Sequence, residues 1–175
     1  MSRYSTFLVL FLLFIFEGTV FQILAPDQYG VELLFIPRWV FMVIIFIGIF
    51  RGRGTGMFYG IVFGVMYDVI HTSILGVYAF GMGFIAYLLS ISIPFFQRNL
   101  LATVLTAIVA AAALDYYVYG MMYLLGVTSI QHPEFLYSRF LPSLAMNFSI
   151  IAVFAIPLRK WIRYVIRRGE EEEKL

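Results

Sequence analysis

From Gly56 to Gly83 the chain reads GMFYGIVFGVMYDVIHTSILGVYAFGMG. Gly56, Gly60 and Gly64 recur every four residues, and Asp68 continues the same stripe of a helix. Two overlapping G-x-x-x-G units leave that stripe bare, so a second helix backbone can approach closely and be held by dispersion and Cα–H···O contacts. The rest of the segment is apolar enough to enter a bilayer, where a bare carboxylate is expensive. An acid at the end of a glycine stripe points to helices packed around a polar spot, not to a soluble catalytic fold. Gly76, Gly81 and Gly83 carry the small-residue character onward. Ala107, Ala110, Ala111, Ala112 and Ala113 form a second small surface just before Asp115. The pattern leaves open whether the stripe packs within the chain or against a partner.

The composition sets the class. The chain has 175 residues, 62% hydrophobic and 13% charged, whereas soluble domains carry roughly 25% charged residues. No water-soluble core of this size absorbs so many apolar side chains, which implies a polytopic membrane protein. The lack of cysteine excludes disulfides, thiolate nucleophiles and thiolate metal sites. His71 and His132 are too few and too far apart to make a metal site alone, and no cofactor is expected.

Hydrophobic runs and their breaks predict six helices. The first spans about Tyr4 to Leu24, long enough to cross a bilayer and longer than a signal-peptide core, so it is read as retained. The loop APDQYGVELLFIP leads to the second, about Arg38 to Phe50, and RGRGTG makes a polar turn. The third runs from about Met57 to Ile70, the fourth from Ile74 to Ile93, the fifth from Asn99 to Leu125 and the sixth from Phe135 to Pro157. The second and third are short, so five spans is the competing count. Lysine and arginine placement decides between them. Six spans put Arg3, Arg51, Arg53, Arg98, Arg159, Lys160, Arg163, Arg167, Arg168 and Lys174 on one side, and only Arg38 and Arg139 on the other. Both termini are therefore expected to be cytoplasmic. Residues 1–158 form the transmembrane domain, and 159–175 form a basic then acidic tail that either lies against anionic lipid or simply serves as a stop-transfer anchor.

Glu17, Asp68 and Asp115 fall inside predicted spans. They lie about 20, 17 and 24 Å along their helices from the cytoplasmic ends, at or beyond the middle of a hydrocarbon core of roughly 30 Å. Arg38 and Arg139 begin helices on that same outer side. Acids and arginines are expected to meet in one buried polar cluster, with Asn147, Tyr67, Tyr116, Tyr117 and the histidines as hydrogen-bonding partners. Such a cluster ties helices together, marks a partner's docking point, lines a solute cavity or relays protons. No G-x-S-x-G, H-E-x-x-H or Walker sequence occurs, and RGRGTG lacks the ending of a phosphate loop. An enzyme is not indicated, and neither is nucleic-acid binding.

The run YGIVFGVMYDVIHTSILGVYAF, with PRWVF opening the second helix and SRFLPSLAMN in the sixth, resembles the rod shape-determining MreD family in its Gram-positive form. The best motif is G-x-x-x-G-x-x-x-D followed by LGVY, and the resemblance covers nearly the whole chain. It implies a non-enzymatic membrane scaffold of the rod complex, or elongasome. The implied partners are MreC, MreB and the RodA–penicillin-binding-protein synthase, and the implied role is in lateral peptidoglycan synthesis. It also implies a fold similar to the substrate-binding subunits of energy-coupling-factor vitamin transporters, which keeps a solute-binding subunit as the alternative. On the scaffold reading, Gly56, Gly60, Gly64, Asp68 and Gly76 build a helix-packing or partner-binding surface. Glu17, Arg38, Asp68, Asp115, Arg139 and Asn147 make the polar cluster.

Overall fold

The computed structural model describes residues 2–24, 33–72 and 74–172. Asp27, Glu32 and Lys174, assigned above to a loop and the tail, lie outside them. The described residues contain helices and no strand: α1 (Ser2–Leu24), α2 (Trp39–Arg51), α3 (Arg53–His71), α4 (Val77–Leu89), α5 (Pro94–Arg98), α6 (Leu100–Leu124), α7 (His132–Glu134), a π-helical turn (Phe135–Phe140) and α8 (Leu141–Glu172). Among them, Leu100–Leu124 and His132–Arg168 are long and apolar enough to cross a membrane. Tyr4–Thr19, Trp39–Arg51 and Val77–Leu89 are apolar but shorter.

Helix α2 is the axis of the fold. Every residue from Val40 to Ile49 is buried, and α1, α3, α4, α6 and α8 all pack on it. A helix apolar on all sides is stable only when surrounded. The other long helices leave their outer faces apolar and exposed, as at Leu12, Ile61, Phe84, Leu105 and Phe154. A closed apolar core inside an apolar exterior is the pattern of an integral membrane protein.

Several boundaries differ from the sequence reading, each for a local reason. The turn expected over RGRGTG contracts to one residue, Gly52, whose φ of 103° and ψ of 154° suit glycine alone. Arg53 already starts α3. Helix α4 ends at Leu89, short of Ile93. Pro94 holds Ile93 extended (φ −102°, ψ 145°), and the Ser90 side chain wedges between Gly48 and Gly56, where α2 and α3 cross. The chain then makes the unpredicted helix α5. Helix α8 does not stop at Pro157 but continues to Glu172, burying Ile162 and Val165 against the rest of the protein. The basic tail is thus an extension of the last helix.

The π-helical turn has its cause in the sequence. Pro142 has no N–H for the carbonyl of Ser138, and its ring crowds the preceding turn. That carbonyl accepts the Leu34 N–H instead, at 2.8 Å. The extended segment from Leu33 to Arg38 is stitched down α8 by further bonds. Ile36 N–H donates to Ser143 Oγ at 2.9 Å, Asn147 Nδ2 to the Ile36 carbonyl at 3.0 Å, and Arg38 N–H to Asn147 Oδ1 at 3.0 Å.

Candidate functional site

The buried acids are assigned by the helix ends around them. Helices α2 and α4 each leave orphan N–H groups at their start that an apolar interior does not solvate. Neither has a capping side chain of its own. For α4 the cap comes from α3. Asp68 Oδ2 accepts the N–H groups of Gly76 and Ala79, each at 2.9 Å, and Oδ1 accepts that of Tyr78 at 2.7 Å. Asp68 is fully buried, and its negative charge also complements the positive end of the helix dipole. For α2 the cap comes from α1: Glu17 Oε2 accepts the Val40 N–H at 3.0 Å, and Oε1 accepts the Tyr67 hydroxyl.

Only the third acid meets an arginine. Arg38 donates from Nε and NH2 to Asp115 Oδ1, both at 2.8 Å, and from NH2 to the Tyr78 hydroxyl at 3.2 Å. Its guanidinium also lies 5.1 Å from the centre of the Tyr78 ring. Tyr67 stacks on Tyr78 and on His71, with ring centres 5.6 and 5.3 Å apart. One network therefore joins α1, α2, α3, α4, α6 and α8, and Asn147 closes it with both ends of its amide. Of the residues singled out from sequence, Glu17, Arg38, Asp68, Asp115 and Asn147 share this network. Glu17 and Asp68 serve backbone amides, and Arg139 lies within 4 Å of no carboxylate among the described residues. Tyr116 stands apart, edge-on to Phe135 and Phe140. A cavity of about 300 Å³ adjoins the network, lined by Glu17, Arg38, Tyr67, His71, Tyr78 and Arg139 among others. No group of three or more metal-ligating side chains occurs among the described residues.

The glycine stripe faces inward. A Cβ on Gly60 would sit 2.7 Å from the Met82 carbonyl oxygen, and one on Gly64 would sit 2.5 Å from Ala79 Cα. Gly56 meets Gly48 Cα and Ser90 instead. Residues 60, 64 and 68 of α3 thus oppose 83, 79 and 76 of the neighbouring segment, an antiparallel register that delivers Asp68 to the start of α4. Gly76 belongs to a different class: nothing lies within 4 Å of its would-be Cβ, and its φ of 105° makes it a conformational residue at the cap.

The opposite end of the bundle shows the complementary arrangement. Gln97 donates to the Ile49 carbonyl near the end of α2 at 3.1 Å. Arg159 donates to the carbonyls of Gln97 and Arg98 at 2.8 and 2.7 Å, and Arg163 to that of Gln97 at 3.0 Å. Orphan carbonyls at helix ends are satisfied here by cations and an amide. These contacts were not legible in sequence, where the same residues signalled only orientation.

The Arg38–Asp115 pair predicts a coupling. In a cycle of Arg38→Gln, Asp115→Asn and the double variant, thermal unfolding should give an interaction free energy of about 1–3 kcal/mol. Each single change strands a buried partner, and the double change removes both charges. Additive losses would mean that the pair contributes nothing beyond its separate hydrogen bonds.

Fold and site together define a helical membrane protein whose buried charges fasten helix ends. The chain belongs to the family described as rod shape-determining protein MreD, which it matches over residues 1–165. It is similar to the rod shape-determining protein MreD of Bacillus subtilis (strain 168), with 31% identity over 164 residues, covering 91% of this chain and 92% of that protein. No solved structure matches it. The family is one of shape-determining structural proteins, not of enzymes.

Proposed function

We propose that this protein is a non-enzymatic scaffold of the rod complex. It binds MreC directly and helps organise MreB and the RodA–penicillin-binding-protein synthase for lateral peptidoglycan synthesis. The observation that carries this reading is the family match along residues 1–165. The use of the buried acids as helix caps agrees with it, because it leaves them a structural task. On this reading the chain crosses the plasma membrane six times, with 159–175 and both termini cytoplasmic. The gathering of Arg51, Arg98, Arg159 and Arg163 at one end of the bundle supports that orientation. The stripe of Gly56, Gly60 and Gly64 acts inside the chain, by shaping the surface that MreC meets. Clean deletion, with no second copy of the gene, should round the cells, and MreC should co-purify with the tagged chain. Rods of normal width after deletion would refute the role.

The cavity favours one second reading, a solute-binding subunit like those of energy-coupling-factor vitamin transporters. A vitamin or metal ion that raises the melting temperature of the purified chain, with the effect lost in Glu17→Gln or Asp115→Asn, would replace the scaffold reading.

A further inference from the structure

Arg139 has no task in the network described above. It is half-buried, lines the cavity of about 300 Å³, and has no carboxylate within 4 Å among the described residues. The other charged groups of the lining are already engaged. Arg38 is held by Asp115 and Tyr78, and both oxygens of Glu17 accept hydrogen bonds, from Val40 and Tyr67. The guanidinium donors of Arg139 are the open ones, and their planar fork suits two oxygens of an anion.

Position along the helix narrows the class of anion. Arg139 lies twenty residues before Arg159 on one nearly continuous helix, about 30 Å along its axis, which is roughly the thickness of a hydrocarbon core. With Arg159 at one headgroup layer, Arg139 stands toward the other, so its cavity opens on the side where lipid phosphate is the abundant anion. The cavity wall is mixed: Phe14, Phe35 and Ile36 lie beside the polar groups, as an amphiphile requires. Its volume of about 300 Å³ is far larger than the roughly 10–15 Å³ that a single water needs by the same measure. That admits a phosphate with its nearest substituents but not a whole lipid.

We propose that this cavity binds a phosphate group, that of a lipid headgroup or of free phosphate, with Arg139 as its principal ligand. The site goes beyond the scaffold reading, and either stands without the other. Native mass spectrometry of the detergent-solubilised chain with dioctanoyl phosphatidylglycerol should show one preferred bound molecule. Dioctanoylglycerol, which lacks the phosphate, should not compete. Arg139→Gln should weaken binding about tenfold or more, Arg139→Lys less, and Arg159→Gln at the far end should change it little. Should Arg139→Gln fail to fold, the native chain decides: the lipid should protect Arg139 from phenylglyoxal modification. Equal protection by inorganic phosphate assigns the site to free phosphate; protection by the lipid alone assigns it to a headgroup. Equal binding of dioctanoylglycerol, undiminished binding by a folded Arg139→Gln variant, or no protection of Arg139 would overturn the proposal. Cell rounding and MreC co-purification test the scaffold role separately.

Discussion

Asp68→Ala is expected to lower stability by about 4 kcal/mol or more. The carboxylate accepts three backbone N–H groups, and a hydrogen bond to a charged group contributes about 1.5–3 kcal/mol. In a soluble protein, water would enter and solvate the exposed amides. Here Asp68 and Tyr78 are buried, Ala79 is partly buried and Gly76 is exposed, so it is above all the Tyr78 N–H that stays orphaned. Against a total stability of about 5–15 kcal/mol, such a loss brings the chain near the threshold for folding. Asp68→Asn keeps one acceptor oxygen and forfeits the other together with the charge, so it should fall between alanine and the native residue. Thermal unfolding in detergent measures the loss, and amide hydrogen exchange locates it. Protection should vanish first over residues 76–79 and spread along α4. An alanine variant within 0.5 kcal/mol (roughly the range of an ordinary surface change) would show that the cap is not what the acid provides.

This role explains what the sequence could and could not show. Glu17, Asp68 and Asp115 were legible as buried acids, because each interrupts a long apolar run. Their partners were not, because periodicity gives the face of a helix and not what lies across it. An acid inside a membrane suggests an arginine, and for Asp115 and Arg38 that holds. For Glu17 and Asp68 the partners are amides, which carry no signal in the sequence. The available clue was indirect and partial: the second helix already read as short, so its N-terminus could lie inside and need a cap, whereas the fourth read as a full span from Ile74 to Ile93 and gave no such hint. Gly52 was visible only as part of a longer glycine-rich turn, and the space it saves became clear once Gly48 and Gly56 were seen to cross. The π-helical turn was in principle readable from Pro142, whose missing N–H frees the Ser138 carbonyl. What no local pattern could supply was the donor from Leu34, more than a hundred residues earlier in the chain. The polar groups at the two ends of the bundle now share one logic. Acids cap helices that start inside the apolar body, and arginines with Gln97 cap those that end near the basic face.

Gly64→Leu should be at least as damaging, and for a coupled reason. The first side-chain atom alone would lie 2.5 Å from Ala79 Cα, 2.7 Å from the Tyr78 carbonyl oxygen and 2.8 Å from Ala79 N. All three are backbone atoms, so no rotamer change relieves the contact, and α3 must move away from α4. Overpacking in a core costs about 1–3 kcal/mol when neighbours can shift; a leucine against backbone should exceed that range and prevent stable folding. The displacement also reaches the cap. Asp68 lies one turn beyond Gly64 on the same stripe, and the Tyr78 and Ala79 amides it binds belong to the very residues that Gly64 touches. Separating the helices therefore lengthens the cap bonds. The milder Gly64→Ala makes this measurable: combined with Asp68→Ala, its loss should fall short of the sum of the two single losses, because each change damages the same junction. Gly81→Ala is the comparison, since its new Cβ would meet the Tyr117 ring, a side chain that can turn aside, and its loss should be smaller. Gly54→Ala, with nothing within 4 Å, should be neutral or slightly stabilising. If Gly64→Ala proves no worse than Gly81→Ala, or adds fully to Asp68→Ala, then the glycine stripe does not set the distance at which the acid reaches its helix.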